Sequence, residues 1–439
     1  MKIYLTLTAL LFSVLSWAQD PIDTEKIWTL EDCITYAIEN NITVKEAVLT
    51  KELTEVSYME SKSSRLPNLY STASQNFTNG NTIDPITSEF VSQQINSTSL
   101  SLNTSMTLFS GNQINNQIKQ SKLLVDQYHF FEEESKNDIT LSILEGYIQL
   151  MYLTENINVA ENNLEYSTKE EERAKALYDA GSLALKDYTD VKSQMATNSY
   201  NLTTAKNDYD LQLLTFKQLL ELPPETNIKI DENLDYLTEE LADVKSIYDD
   251  ALATLPEIRA SETNLLVSEK ALDIEKGAYL PTLSLTGSLG SGYTSTQDLS
   301  FTNQFDGNFN QQVGLSLYIP IFNRNSTKAS VQSAKINIDI ASLDLLQEKK
   351  DLYVKVETAW LNANATQKQM YAAEVAKEAA EQSYDLAKKQ YDLGALSSTD
   401  LIISQNTYTN AEQNYLQAKY LNLLYTELLQ FYQGNEIKI

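Results

Sequence analysis

Two residue types that carry much of enzyme chemistry are almost missing from this chain of 439 residues: it has one histidine, His129, and one cysteine, Cys33. A lone His leaves no zinc cluster and no Ser-His or Cys-His pair to assemble. A lone Cys cannot close an internal disulfide, and a buried thiol on a helix is the state expected for Cys33. No Gly-rich phosphate loop follows a strand pattern and no carboxylate spacing selects a catalytic pair, so these residues support no enzyme and no cofactor. Cations are scarce as well, with 33 Lys and Arg against 60 Asp and Glu and a net charge of −27. That balance repels phosphates and argues against nucleic acid and anionic membrane surfaces as partners.

Long apolar runs are absent beyond the first residues, MKIYLTLTALLFSVLSWAQD. There Lys2 precedes an apolar stretch from Ile3 to Trp17, and Ser16-Trp17-Ala18 offers a small-x-small cleavage site. The pattern is that of a signal peptide over 1–18, too short for a spanning helix. No Cys stands at the cleavage point, so no lipid anchor is expected there.

What the chain does contain is a repetition. YDAGSLALKDY at 178–188 returns as YDLGALSSTDL at 391–401, an offset of 391 − 178 = 213. Arg65-Leu66-Pro67-Asn68-Leu69 finds Tyr279-Leu280-Pro281-Thr282-Leu283 at 214, and SLSLNTSMTLF (99–109) aligns with QVGLSLYIPIF (312–322) at 213. Thr29 and Asp243, both fit to N-cap a helix, are again 214 apart. Separate blocks sharing one spacing identify an internal duplication, read as repeats over 19–230 and 231–439.

Each repeat reads helix, strand, strand, long helix, helix. The first helices are expected over about 30–62 and 244–276, ending before a Leu-Pro pair. Two strands follow, in which Leu100, Leu102, Met106 and Leu108 alternate with polar residues, as do Leu283 and Leu285, and Val313, Leu315, Leu317 and Ile319. The copy from Leu69 to Phe77 alternates less clearly, and polar loops are expected over about 79–96 and 291–310. Alternation of period two gives one apolar and one polar face. Two readings fit: a sheet packed on a core, or a barrel wall between lipid and water. Long helices then run from about 112 and 325 to Gly181 and Gly394, roughly 100 Å at 1.5 Å per residue. They reverse there and continue over about 183–221 and 397–433. Along the second long helix, Ala359, Ala363, Ala372, Ala376 and Ala380 suggest a core-facing stripe of small residues. Four strands cannot close a barrel, so a membrane location requires several copies of the chain.

At this point the sequence resembles the TolC family of outer-membrane efflux proteins. The resemblance rests on LEDCITYAIENN, the paired Leu-Pro strand starts, the TLFSGNQ and PIFNRNS strand-to-helix junctions and the two YDxGxL turns followed by Asp. It implies a mainly α fold with a transmembrane β part: a homotrimer forming a 12-stranded β-barrel in the outer membrane of a Gram-negative cell, with a long periplasmic α-helical barrel. It also implies a periplasmic adaptor and an inner-membrane transporter of RND, ABC or MFS type as partners, for efflux or type I secretion.

The same resemblance places a periplasmic gate near the turns. Asp400 matches one inward acidic position, Asp187 is its repeat partner, and Tyr391 matches an aromatic that helps hold the closed state. Leu396 stands where the best-known members carry Arg, and Ile403 replaces a second carboxylate, so the restraining links must differ in this chain. Capping by Ser397-Ser398-Thr399-Asp400 explains Asp400 equally well; Asp187, read as lying deeper in its helix, is less well explained that way. Gly181 and Gly394 are expected to make the reversals, with Leu183 and Leu396 as candidate adaptor contacts. Glu170-Glu171-Glu172 reads as a solvated face. The alternative is an exported, elongated coiled-coil structural or surface protein, which accounts for the helices but not for strands at matched positions in both halves.

Overall fold

In the computed structural model, residues 27–231, 241–435 and 437 are described, and the expected signal peptide over 1–18 lies outside the described residues. The first repeat comprises β1 (Ile27–Trp28), α1 (Leu30–Asn40), α2 (Ile42–Ser63), β2 (Asn68–Ile83), β3 (Phe90–Ser110), α3 (Gln113–Asp179), α4 (Leu185–Leu219) and β4 (Lys229–Ile230). The second comprises α5 (Val244–Thr254), α6 (Pro256–Gly277), β5 (Thr282–Thr294), α7 (Phe301–Gly307), β6 (Asn310–Tyr318), α8 (Ser326–Asp392) and α9 (Ser398–Tyr432). Both long helices have 67 residues.

The capping residues are where the sequence put them. Thr29 accepts a hydrogen bond from the Asp32 N–H while the Asp32 carboxylate accepts from the Thr29 N–H, and Asp243 accepts from the Lys245 N–H. The expected single first helix is instead two in each repeat. Asn41 is extended, φ −59° and ψ 135°, and its side chain accepts the Thr43 N–H. Leu255 is extended because Pro256 follows it, and Pro256 opens α6 at the position where its missing N–H does no harm. The expected loops also shrink. Strands β2 and β3 run on through most of 79–96, leaving 84–89 as the connection, and α7 occupies part of 291–310.

The chain forms two compact units, each drawing on both repeats. One contains the described residues of 1–46, 134–255 and 351–439; the other contains 47–133 and 256–350. In the first, Cys33, Ala37, Ile143, Leu150, Phe216 and Leu220 are fully buried, and Cys33 is a buried helical thiol outside any disulfide, as expected. Strand β1 pairs in parallel with β4, and the Tyr147 hydroxyl donates to the Trp28 and Asp231 carbonyls. Gly146, the only glycine within α3, is there for packing. A Cβ at that position would sit 2.8 Å from a Phe216 ring carbon. The expected alanine stripe holds in part: Ala359, Ala363 and Ala380 are buried, but Ala372 and Ala376 are exposed. Steps of 3.6 residues carry the buried face through Thr366 instead.

The second unit contains an antiparallel sheet of order β2-β3-β5-β6. Its register decides the faces. Leu69, Ala73 and Phe77 of β2 share one face with Leu100, Leu102 and Met106 of β3. The same face continues through Leu283, Leu285 and Leu289 of β5 and Val313, Leu315 and Leu317 of β6. The opposite face carries Ser, Thr, Asn and Gln, with hydroxyls bonded across strands at Thr72–Ser101 (2.6 Å) and Ser74–Ser99 (2.7 Å). Two expected face residues are displaced. Leu108 falls at an irregularity between Thr107 and Phe109, so Phe109 takes its place opposite Leu283; Ile319 lies one residue past the end of β6.

Among the described residues no core lies under the apolar face: Leu69 is 69% exposed, Leu315 69% and Val313 81%. At the far end, buried Asp84 accepts hydrogen bonds from the N–H groups of Ile86 and Thr87 and from the hydroxyls of Thr294 and Thr296. No helix among the described residues is long and apolar enough to cross a membrane.

Candidate functional site at the helical turns

The two YDxG segments make the same turn. Gly181 and Gly394 both have φ +74°, a left-handed conformation that costs an L side chain about 1–2 kcal/mol. Gly181 N–H reaches the Tyr178 carbonyl and Ser182 N–H the Leu177 carbonyl; Gly394 and Ala395 do the same with Tyr391 and Gln390. This pairing satisfies the last carbonyls of each long helix and sends the chain back as α4 or α9. Leu183 and Leu396 are half-buried, whereas the apolar side chains most fully presented near these turns are Leu185 and Leu393.

Asp187 and Asp400 occupy the same place, the third residue of their helices, so Asp187 lies in the first turn and not deeper. Their partners differ. Ser397 Oγ accepts the Asp400 N–H at 3.1 Å and donates to its carboxylate at 2.7 Å, so Asp400 serves its own cap. Ala184 gives α4 no side-chain cap. Asp187 instead accepts from the Ser398 hydroxyl of the other hairpin at 3.3 Å. Lys186 bonds Asp190 at 2.7 Å and reaches Thr399 at 3.5 Å, so the hydrogen bond to Asp190 raises its pKa. Repeat one and repeat two are thus tied where α4 and α9 begin.

A second tie joins the ends of the long helices. Arg173 of α3 hydrogen-bonds Asp392 of α8, approaches Glu170 at 3.9 Å and lies over the Tyr391 ring at 5.4 Å. The bond to Asp392 raises the Arg173 pKa, while burial raises those of Glu170 and Tyr391. Tyr188 stacks on Tyr178 with ring centroids 5.4 Å apart and donates to Glu171. The run Glu170-Glu171-Glu172 is therefore not a uniformly solvated face: Glu170 and Glu171 are engaged and half-buried, and only Glu172 is exposed. Arg173 escaped sequence reasoning because its acidic partner on α8, Asp392, is 219 positions away. A cation directly after three carboxylates, one turn before YDxG, was the available signal.

The sequence profile described as outer membrane efflux protein matches residues 33–221 and 247–433, one match per repeat. The chain belongs to the outer membrane efflux protein family. Its localisation is the outer membrane. Outer membrane protein TolC of Escherichia coli (strain K12) is 24% identical over 337 residues, 75% of this chain and 68% of that protein. Outer membrane efflux protein BepC of Brucella suis biovar 1 is 22% identical over 404 residues, covering 89% and 84%. Among solved structures, outer membrane protein VceC of Vibrio cholerae superposes with a TM-score of 0.79 at 17% identity, covering 93% of this chain and 97% of that one. At that identity the likeness is one of fold.

Proposed function

We propose that this chain is one of three identical subunits of an outer-membrane exit duct serving a tripartite efflux or type I secretion system. The observation that carries the reading is the sheet. Among the described residues its apolar face is left uncovered, its other face is hydroxyl- and amide-lined, and its edges β2 and β6 are open. Unpaired edges facing lipid cost several kcal/mol per backbone group, and barrels that span membranes have about eight strands or more. Three copies joining β6 to β2 supply twelve strands, a closed wall with lipid on one side and water on the other. The long hairpins, about 100 Å at 1.5 Å per residue, form the helical tube that continues the duct through the periplasm. There an adaptor and an inner-membrane transporter of RND, ABC or MFS type deliver the substrate.

Closure of the tube is assigned to the turns. Three copies of Asp400 form an acidic ring, and the Arg173–Asp392 pair packed on Tyr391, together with Asp187–Ser398, restrains the hairpins. The Arg173 link takes the place of the Arg expected at position 396. Leu183, Leu185, Leu393 and Leu396 form the adaptor contact. The test is electrical: purified protein in a planar bilayer is expected to conduct ions and to run as an SDS-resistant, heat-dissociable trimer. A monomer that never conducts overturns the duct.

A further inference from the structure

Charge is unevenly spread along the segments that build the sheet. Neither 66–118 nor 277–323 contains a Lys or Arg, and their only charged residues are Asp84, Glu89, Asp298 and Asp306, all in the connections between strands. Cations cluster at the other end: Arg65 just before β2, Lys276 in the last turn of α6, Arg324 and Lys328 at the start of α8. One end of the hairpins is acidic and the other basic.

At the basic end each hairpin holds one cleft. That of β2–β3, about 230 Å³, is lined by Arg65, Leu108, Phe109 and Asn115 among others. That of β5–β6, about 210 Å³, is lined by Tyr279, Ile321, Phe322 and Lys328 among others. The clefts are repeat partners. Leu108-Phe109 corresponds to Ile321-Phe322 and Asn115 to Lys328 at 213, and Arg65 to Tyr279 at 214. Both repeats therefore present an exposed apolar pair and one cation, although the cation comes from before the first strand in one and from the helix start in the other. Among the described residues no ion pair engages Arg65, Arg324 or Lys328; Arg65 only donates to Asn115 at 2.7 Å. Neither long helix has an acidic residue in its first turn, so the positive end of its dipole is uncompensated.

We infer that these two clefts bind the anionic head groups of phospholipids in the leaflet at the helical end of the sheet. The phosphate sits at the cation and the acyl chains run along the apolar face. This rests on the membrane-spanning reading of the sheet. The net charge of −27 does not oppose it, because charges beyond about 8 Å are screened at physiological salt and the local cations decide. The acidic connections exclude the same chemistry at the opposite surface.

The full-length protein in detergent is titrated with phosphatidylglycerol or phosphatidylcholine of identical chains, and retained lipid is counted by native mass spectrometry. Phosphatidylglycerol is expected to be preferred. Arg65→Ala and Lys328→Ala should each weaken one site about fivefold, and the double variant should approach the phosphatidylcholine level. Equal retention of the two lipids, or unchanged retention in the double variant, overturns the inference. Displacement by equimolar glycerol phosphate would mean a site for free anion and overturns the lipid assignment. Wild-type protein that conducts in bilayers without lipid preference removes this inference alone, whereas protein that never conducts removes the duct and this inference with it.

Discussion

The two repeats trace one backbone and furnish it differently. Their 67-residue helices both end in a glycine at φ +74° with the same pair of hydrogen bonds. Yet the returning helix is capped by Ser397 in one repeat and begins with uncapping Ala184 in the other. That single difference leaves Asp187 available to Ser398 while Asp400 is held by its own cap. Arg173, likewise, has exposed Leu386 as its partner at 213, so one repeat supplies the cation and the other the acid of the Arg173–Asp392 tie. Duplication settles where the turns fall, and side-chain divergence makes two equivalent hairpins complementary.

The largest effect is expected where the repeats trade volume. Gly146 and Phe216 correspond to buried Ala359 and Leu429 at 213. Gly146→Ala should cost about 1–3 kcal/mol by overpacking against Phe216. Adding Phe216→Leu, which recreates the second repeat's pair, should recover most of it in a double-mutant cycle followed by thermal unfolding; additive losses would mean the two sites are independent.

Next comes the connection that only the first repeat pins with a buried acid. Burial alone would raise the Asp84 pKa, but hydrogen bonds from Thr294, Thr296, Thr87 and Ile86 outweigh it and hold it at about 2. A depressed carboxylate contributes stability above its unfolded pKa that is lost as pH falls through the folded one. Protection of this connection from protease should therefore decline between about pH 4 and pH 2. Asp84→Ala should remove it at neutral pH, at a cost of about 2 kcal/mol. Equal protection of wild type and variant would contradict this.

Smaller effects sharpen the contrast at the turns. Ser397→Ala should destabilise by about 1 kcal/mol and Ala184→Ser should stabilise by a few tenths, read from melting temperatures. Arg173→Ala should change stability by under about 1 kcal/mol, because the pair is partly exposed. Its signature is electrical: a severalfold rise in single-channel conductance that Leu386→Arg does not produce. Unchanged conductance in Arg173→Ala would take the pair out of the gate.

Much of this was legible in the sequence because it depends on local chemistry. Long helices need only an absence of breakers, the turns need a glycine, and the sheet needs alternation. What was hidden depends on distant partners or on register. The breaks at Asn41 and Leu255 interrupt otherwise helical runs, and Asn41 is pinned by its side chain as much as by sequence pattern. The strands of 79–96 look like loop because Asn79-Gly80-Asn81-Thr82 and Ser92-Gln93-Gln94 contain no apolar residue, so the alternation lapses there. The irregularity beside Leu108 cannot be read from alternation, which counts in twos. Arg173 meets its partners only through the fold. Alternation alone leaves open a sheet on a core and a barrel wall, and the exposure of the apolar face is what supports the proposed wall.

That face is the central claim, and site-directed spin labelling tests it most directly. Labels on single cysteines, in a Cys33→Ser background, would be placed at Leu285 and Leu315 on one face and at Ser284 and Ser316 on the other. In reconstituted membranes the leucine positions should be relaxed by lipid-soluble oxygen and the serine positions by a water-soluble nickel chelate. Leucine positions shielded from both reagents, or open to the nickel chelate, would mean the sheet is not the wall of a membrane channel.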